Sequence, residues 1–145
     1  MKILVQRSLE SSVSVNNKTV GKIDKGMVIF VGFSKTDGSS QIEYLINKIL
    51  NLRIFDDENG IMNKSILDVN GKILSISQFT LYADTRKGNR PSYINSMNHI
   101  DAEKLYNEFN QKLSKYITVE TGIFRSDMKV NITNDGPITI ILERN

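Results

Sequence analysis

The sequence contains no cysteine and no tryptophan, only two prolines, and a single histidine, His99. Without cysteine the chain can form no disulfide and no thiolate metal site, and it has no cysteine nucleophile. One histidine and no cysteine also argue against a structural zinc site, which takes its ligands mainly from these two residue types. We expect a protein that works without a metal or other cofactor.

Long apolar runs are missing as well. Near the N-terminus only Ile3, Leu4 and Val5 precede a polar pair, which is too short for the apolar centre of a signal peptide. No run approaches the ~18 apolar residues of a membrane-spanning helix. We expect a cytoplasmic protein that does not enter a membrane. The formal net charge of +3 allows a polyanionic partner without requiring one.

The 145 residues contain no repeat and no linker, which predicts a single domain over residues 1–145. Residues 2 to 33 predict a meander of strands, with a tight turn at Asn16-Asn17 because asparagine tolerates positive φ. Met27 to Phe33 is apolar at consecutive positions. A strand of this kind is covered on both faces, and we expect it at the centre of the sheet.

Two amphipathic helices are predicted. The first starts with the capping-box spacing Ser40-Gln41-Ile42-Glu43 and places apolar residues on one face: Ile42, Leu45, Ile46, Ile49 and Leu50. The second is predicted to be capped by Asp101 and has a second apolar face, formed by Ala102, Leu105, Tyr106, Phe109, Leu113 and Tyr116. The helices are segregated from the strands rather than alternating with them, which favours the α+β class.

Shorter elements fill the intervals. A short strand is predicted at Arg53-Ile54-Phe55, a solvated acidic turn at 56–60, and a tight hairpin turn at Asn70-Gly71. Pro91 excludes regular helix and central strand from the loop 84–98. The remaining chain predicts strands over Val119 to Phe124, Met128 to Thr133 and Ile138 to Leu142, with a turn at 134–137 between the last two.

The stretch from Lys72 to Leu81 reads as a buried strand that includes Phe79 and Leu81, with the polar run Ser77-Gln78 near its end. Buried polar groups without a partner cost about 1 to 3 kcal/mol each, so the hydroxyls of Ser77 and Thr80 and the amide of Gln78 need partners or a ligand. On residue types alone, the favoured interpretation is bonding of Ser77 and Thr80 to nearby backbone.

Two motifs together resemble the signatures of the D-aminoacyl-tRNA deacylase family: Ser77-Gln78-Phe79-Thr80-Leu81 and Asn134-Asp135-Gly136-Pro137-Ile138-Thr139. Further matches follow in family order along the whole chain: Gln6-Arg7, Arg53-Ile54-Phe55, Gly60-x-Met62-Asn63, Arg90-Pro91-Ser92 and Thr121-Gly122-x-Phe124. Tyr93 stands where the family often has Phe, an exchange of one aromatic residue for another.

The resemblance implies a barrel-like arrangement of mixed and antiparallel sheets with both helices outside, in a homodimer. It also implies a pocket with Ser77 to Thr80 as its floor, which binds the aminoacyl ester and terminal adenosine of tRNA. The Gly136-Pro137 bond would be cis and would enter the pocket of the partner subunit. Its carbonyls would accept the substrate amino group and leave no space for an L side chain. Arg7 would hold this motif, and Met128 would line the pocket.

The residues themselves offer little acid-base chemistry. His99 stands in no recognisable triad context and is better interpreted as a solvent-facing loop residue. We expect the Phe79 main-chain N–H, with that of Thr80, to polarise the ester carbonyl, while Ser77 and Gln78 hold the adenosine or shape the pocket. The alternative is Thr80 as covalent nucleophile, which would need a base.

Three cations in the loop segment 86–90, Arg86, Lys87 and Arg90, are candidate phosphate contacts, although a solvated charge run explains them equally well. The favoured function is hydrolysis of the ester bond of D-aminoacyl-tRNA, and of mischarged glycyl-tRNA. Two alternatives remain open at this stage. One is a tRNA-binding module without catalysis, and the other is a hydrolase of small D-amino acid derivatives.

Overall fold

The computed structural model describes residues 1–145 and contains eight strands, two α-helices and one 3₁₀ helix. In chain order these are β1 (Lys2–Val15), β2 (Lys18–Ile23), β3 (Gly26–Gly32), α1 (Ser39–Asn51), β4 (Phe55–Asp56), β5 (Met62–Lys64), β6 (Lys72–Ser77), the 3₁₀ helix (Phe79–Tyr82), α2 (His99–Leu113), β7 (Val119–Thr121) and β8 (Lys129–Glu143). Neither α-helix has the length and hydropathy needed to cross a bilayer.

The long strand β1 organises the main sheet. On one side it pairs with β8 along its whole length, and on the other it pairs first with β3 and then with β2, all antiparallel. The sheet continues from β3 to β6 and β7 in parallel. A Cβ added to Gly21 of β2 would lie 2.7 Å from the Thr121 oxygen of β7, so the two ends of the sheet come close together. The predicted α+β class and the barrel-like mixed sheet are confirmed.

The core has two parts, one on each face of the sheet. The larger part lies under both helices and includes Ile29 and Ile73, and the smaller includes Val28 and Leu74. Neighbouring residues of β3 therefore point into different cores, which confirms that this strand is covered on both faces. Each fully buried aliphatic side chain contributes about 1.5 to 3 kcal/mol relative to exposure, so β3 and β6 carry much of the stability.

Both helices begin earlier than predicted. Gly38 is the N-cap of α1, and its N–H donates to the side chain of Gln41 at 3.0 Å, so neither Ser40 nor Glu43 forms the cap. Asn98 caps α2 by accepting from two main-chain N–H groups, one of them that of Asp101, which lies inside the first turn. The predicted buried face of α1 is confirmed in full, whereas Tyr116 lies beyond α2 and is exposed.

The predicted strand over 72–81 is too long. β6 ends at Ser77, and the chain turns at Gln78 into the 3₁₀ helix, which leaves the Phe79 side chain 57% exposed rather than in the core. The reason is tertiary, because the neighbouring strand β3 ends at Gly32 and offers no backbone partner beyond that point. Asn70, at φ 49°, makes a turn as predicted but no hairpin, since both neighbours of β6 run parallel to it.

The two strands predicted after residue 128 form one strand, β8, because β1 is long enough to pair with both halves. The Gly136-Pro137 segment is accommodated as an irregularity in this ladder: Gln6 pairs with Thr139 and Ser8 with Asn134, so five positions on β8 correspond to two on β1. The strand predicted to end at Phe124 stops at Thr121, and the one predicted at 53–55 begins only at Phe55.

Candidate active site

A cavity of about 510 Å³ opens beside the end of β6, where the sequence predicted the pocket floor. Ser77, Gln78 and Phe79 line it, as does Met128. The remaining walls include the C-terminal end of β3, the start of α2 and the segment from Phe124 onward. Small-molecule sites fall in the range of ~300 to 1,000 Å³ and combine apolar walls with a few polar groups, so this cavity can hold a nucleoside-sized ligand.

The turn after β6 is held by contacts on several sides. The Gln78 N–H donates to the Val31 oxygen at 2.8 Å, and the Phe79 oxygen accepts from the Ser96 hydroxyl at 3.1 Å. The Phe79 ring meets the ring of Tyr93 edge-on at 4.9 Å. A Cβ at Gly32 would lie 2.8 Å from the Gln78 oxygen, so only glycine lets this turn approach the end of β3.

The start of the 3₁₀ helix presents main-chain donors. Its first hydrogen bond runs from the Leu81 N–H to the Gln78 oxygen. The N–H groups of Phe79 and Thr80 precede that bond, so they have no acceptor within the helix. Phe79 lines the cavity, and Thr80 follows it directly in the chain. Two neighbouring N–H groups of this kind are suitable donors for a developing oxyanion, the role predicted for them from the sequence.

Thr80 has no basic partner. Its hydroxyl accepts a hydrogen bond of 2.5 Å from the Gln78 side-chain amide, so its partner is a side chain and not the backbone bonding that residue types favoured. Thr80 does not line the cavity, in contrast to Ser77. A hydroxyl that accepts from an amide and lacks a neighbouring base is a weak nucleophile.

The second predicted group of residues assembles elsewhere. The Gly136-Pro137 bond is cis, as the resemblance implies. Arg7, 7% exposed, donates from Nε to the Asp135 oxygen at 3.1 Å and from Nη1 to the Ile54 oxygen at 2.9 Å. A Cβ at Gly136 would lie 3.3 Å from Arg7 Nη2. Arg7, Gly136 and Pro137 are thus close together, but none of the three lines the cavity that contains Ser77 to Phe79.

The predicted acidic turn is exposed to solvent, and its carboxylates also make contacts within the chain. Asp56 pairs with Arg7 Nη1 at 3.2 Å, and Glu58 pairs with Lys64. The main-chain N–H groups of Ile61 and Asn59 bind the Asp57 carboxylate and lower its pKa. These carboxylates hold the β4–β5 connection and the Arg7 side chain, and none of them reaches the cavity.

The predicted basic loop contains one neutralised cation. Asp84 binds Arg86 through both carboxylate oxygens, at 2.9 Å and 2.6 Å, and this contact lowers the pKa of Asp84 to about 2. Lys87 and Arg90 are exposed and form no ion pair within the chain. The loop closes where Asp84 and Ser92 pair, so it presents two free cations rather than three.

Comparison with known proteins decides the family. The family described as D-Tyr-tRNA(Tyr) deacylase matches residues 4–143. A curated relative from Clostridium novyi (strain NT), named D-aminoacyl-tRNA deacylase, is 52% identical over 144 residues, which covers 99% of this chain and 97% of the relative. The chain belongs to the D-Tyr-tRNA(Tyr) deacylase family.

Solved structures agree with this membership. The structure of the c-Myc DNA unwinding element binding protein is 40% identical to this family member, with a TM-score of 0.96 and coverage of 100% of this chain and 99% of that one. A probable eukaryotic D-amino acid tRNA deacylase is 16% identical, with a TM-score of 0.83 and 97% coverage of both chains. At that identity the second similarity shows the shared fold alone.

Most cavity residues of this family member were not predicted as site residues, among them His99, Phe124 and Arg125. His99 is exposed, as expected, but it is the first residue of α2 and lines the cavity. The predicted cap at Asp101 places His99 in the loop before the helix. Phe124 was noted only as part of a motif, and Arg125 carried no signal in the sequence. Nowhere in the chain do three His, Asp or Glu side chains gather as metal ligands would.

Proposed function

We propose that the protein hydrolyses the ester bond of D-aminoacyl-tRNA, and that of mischarged glycyl-tRNA, releasing free amino acid and tRNA. The observation that carries the proposal is the 52% identity to a D-aminoacyl-tRNA deacylase over nearly the whole of both chains. The cavity beside Ser77, Gln78 and Phe79 supports it. The substrate places the action in the cytoplasm, where translation takes place.

The terminal adenosine of tRNA fits the chemistry of this cavity. Phe79, Phe124 and Met128 provide apolar wall against which a base can pack. Ser77 and Gln78 offer a hydroxyl and a carboxamide that can bond to the ribose or the base. The ester carbonyl is bonded directly to a ribose oxygen, so it would then lie next to the start of the 3₁₀ helix.

Hydrolysis proceeds by attack of water on the ester carbonyl carbon. The carbonyl oxygen becomes an oxyanion, which the N–H groups of Phe79 and Thr80 stabilise by about 2.7 to 4 kcal/mol if they act as other oxyanion donors do. The bond to the ribose oxygen then breaks, and that oxygen receives the proton lost by the water. The vicinal ribose hydroxyl assists the proton transfer, so the protein needs no strong base.

Chirality is decided by exclusion in a homodimer. The main-chain carbonyls of Gly136 and Pro137 from one subunit accept the substrate amino group in the cavity of its partner. Rigid main chain at this point leaves space for a D side chain, or for the hydrogen of glycine, but not for an L side chain. The position of Gly136 and Pro137 outside their own cavity supports transfer of the motif between subunits.

The edge of the sheet supports the dimer. β8 pairs only with β1, so one side of a 15-residue strand has no partner in the chain. Ile141, in the middle of its second half, is 67% exposed. Long unpaired edges with apolar side chains are usually covered in native proteins, and a second copy placing its own β8 alongside would cover this one.

Catalytic specificity is tested with two substrates. D-Tyrosyl-tRNA should lose its ester rapidly, whereas a free D-tyrosine ester should be cleaved slowly because it lacks the adenosine that the cavity holds. A hydrolase of small D-amino acid derivatives would cleave both at similar rates. Binding of D-tyrosyl-tRNA without turnover would instead support the binding module and contradict the proposal.

Transfer of the motif is tested by mixing two inactive variants. Ser77→Trp blocks the cavity and keeps the motif, while Pro137→Ala changes the motif and keeps the cavity. Refolding equal amounts together should restore about a quarter of wild-type activity, because half of the dimers are mixed and each of these has one intact site. Activity that stays at the level of the separate variants would contradict the exchange between subunits.

A further inference from the structure

Arg125 has an unusual backbone conformation. Its φ is 61°, in the left-handed region, and it is one of four residues other than glycine with positive φ. The other three, Asn16, Asn17 and Asn70, are asparagines in turns, and asparagine tolerates this region. The arginine side chain does not stabilise the left-handed conformation by a local hydrogen bond. Residues in such strained conformations concentrate at functional sites.

The conformation belongs to a tight turn at the cavity. The Ser126 N–H donates to the Ile123 oxygen at 3.2 Å, which closes the turn around Arg125. Arg125 lines the cavity together with its neighbours Phe124 and Ser126, and its side chain is exposed. The turn therefore presents this side chain at the open part of the same cavity that contains Ser77 to Phe79.

The guanidinium has no partner in the chain. Arg86 is paired with Asp84 and Lys112 with Glu43, but Arg125 makes no ion pair and no hydrogen bond. Asp127 lines the same cavity and is not paired with Arg125. His99, at the N-terminus of α2, lines the cavity as well. The cavity therefore has a cation that is available to an anionic ligand.

We propose that Arg125 binds the RNA phosphate on the 5′ side of the terminal adenosine. This inference rests on the proposed function, because it assumes that the adenosine occupies the cavity. A guanidinium donates two parallel hydrogen bonds to a phosphate, which fits a residue at the cavity opening, where the RNA backbone would leave the protein. The contact holds the tRNA end and takes no part in the chemical step.

The test uses two substrates that differ in the phosphate. Arg125→Gly should raise KM for D-tyrosyl-tRNA about tenfold with kcat unchanged, and should lower the salt slope of binding by about one phosphate contact. On D-tyrosyl-adenosine, which lacks the phosphate, the variant and the wild type should have equal kcat/KM. Arg125→Lys should recover part of the affinity because it retains the charge.

Stability separates binding from a structural role. Glycine adopts φ 61° freely, so Arg125→Gly should raise Tm even as tRNA binding weakens. Lys18→Ala is the matched control, since Lys18 is an exposed, unpaired cation on β2 outside the cavity lining. It should leave KM unchanged.

An unchanged KM and salt slope in Arg125→Gly would overturn the inference, as would an equal loss on D-tyrosyl-adenosine. A lower Tm would also contradict it. If the wild type releases D-tyrosine from neither substrate, the proposed function itself has failed, and that result is distinct from a failure of the Arg125 contact.

Discussion

Arg7 Nε lies 3.1 Å from the main-chain oxygen of Asp135 and 3.1 Å from a carboxylate oxygen of the same residue. One guanidinium on β1 thus fixes the residue that precedes Gly136-Pro137. The same side chain reaches the Ile54 oxygen and the Asp56 carboxylate. The segment that we propose to read chirality is therefore held by a nearly buried cation with four acceptors.

Arg7→Lys should weaken this hold while keeping the charge. A lysine ammonium cannot donate to Asp135 and Ile54 in the fork geometry of a guanidinium, so the motif gains freedom and the D/L ratio of deacylation rates should fall about tenfold. Arg7→Ala should also lower the free energy of unfolding by about 1 to 3 kcal/mol, because it leaves the buried Ile54 oxygen unpaired. Rates on D- and L-tyrosyl-tRNA and denaturant unfolding measure the two effects. An unchanged ratio in Arg7→Lys would show that Arg7 does not position the motif.

Thr80→Ala should retain single-turnover deacylation within about tenfold of the wild type, because the main-chain N–H groups of Phe79 and Thr80 survive the substitution. Loss of the 2.5 Å hydrogen bond from Gln78 accounts for a modest decrease. A covalent nucleophile would instead lose activity by several orders of magnitude. Near-complete loss in a folded variant would establish Thr80 as the nucleophile.

The basic loop should contribute through two cations. Lys87→Ala and Arg90→Ala should each flatten the dependence of tRNA affinity on salt by about 0.7 to 0.9 in the logarithmic slope. Arg86→Ala should change it less, since Asp84 already neutralises Arg86. Because the pKa of Asp84 is lowered to about 2, this pair persists above the usual carboxyl pKa and is lost only as the pH falls toward about 2. An equal change in all three variants would contradict this assignment.

Ser75 and Tyr106 should respond in opposite directions. The Ser75 hydroxyl is fully buried without a hydrogen-bond partner, so Ser75→Ala should stabilise the protein by about 1 kcal/mol. The Tyr106 hydroxyl donates to the main-chain oxygen of Ser75 at 2.8 Å. Tyr106→Phe should therefore destabilise the protein by about 1 kcal/mol. Denaturant unfolding of both variants provides the comparison. A loss of stability in Ser75→Ala would indicate a partner for that hydroxyl.

Local patterns predicted the elements whose cause is local. The helical spacing of Ile42, Leu45 and Ile49 identified the buried face of α1, and the apolar run at 27–33 identified the central strand. The turn at Asn16-Asn17 also follows from its residue types, since both have positive φ. In each case the sequence pattern that indicates the element lies within a few residues.

Features set by distant partners could not be predicted in this way. β6 ends where β3 ends, and β8 is continuous because β1 is long enough to pair with both of its halves. Asn98 caps α2, although Asp101 is also of a residue type that is favoured at the N-cap. The residue types alone therefore do not distinguish the two positions. Ser77, Gln78, Phe79 and Met128, which family resemblance predicted to share a pocket, line one cavity. Arg125 depends on a backbone conformation that an arginine does not indicate.

The most direct measurement is the decay of matched D- and L-tyrosyl-tRNA in the presence of the purified protein. We propose that main chain excludes L side chains and that main-chain N–H groups activate the ester. This proposal predicts that the D-ester is lost rapidly and that the L-ester decays at its uncatalysed rate. Equal acceleration of both esters would contradict the account, and so would stability of both.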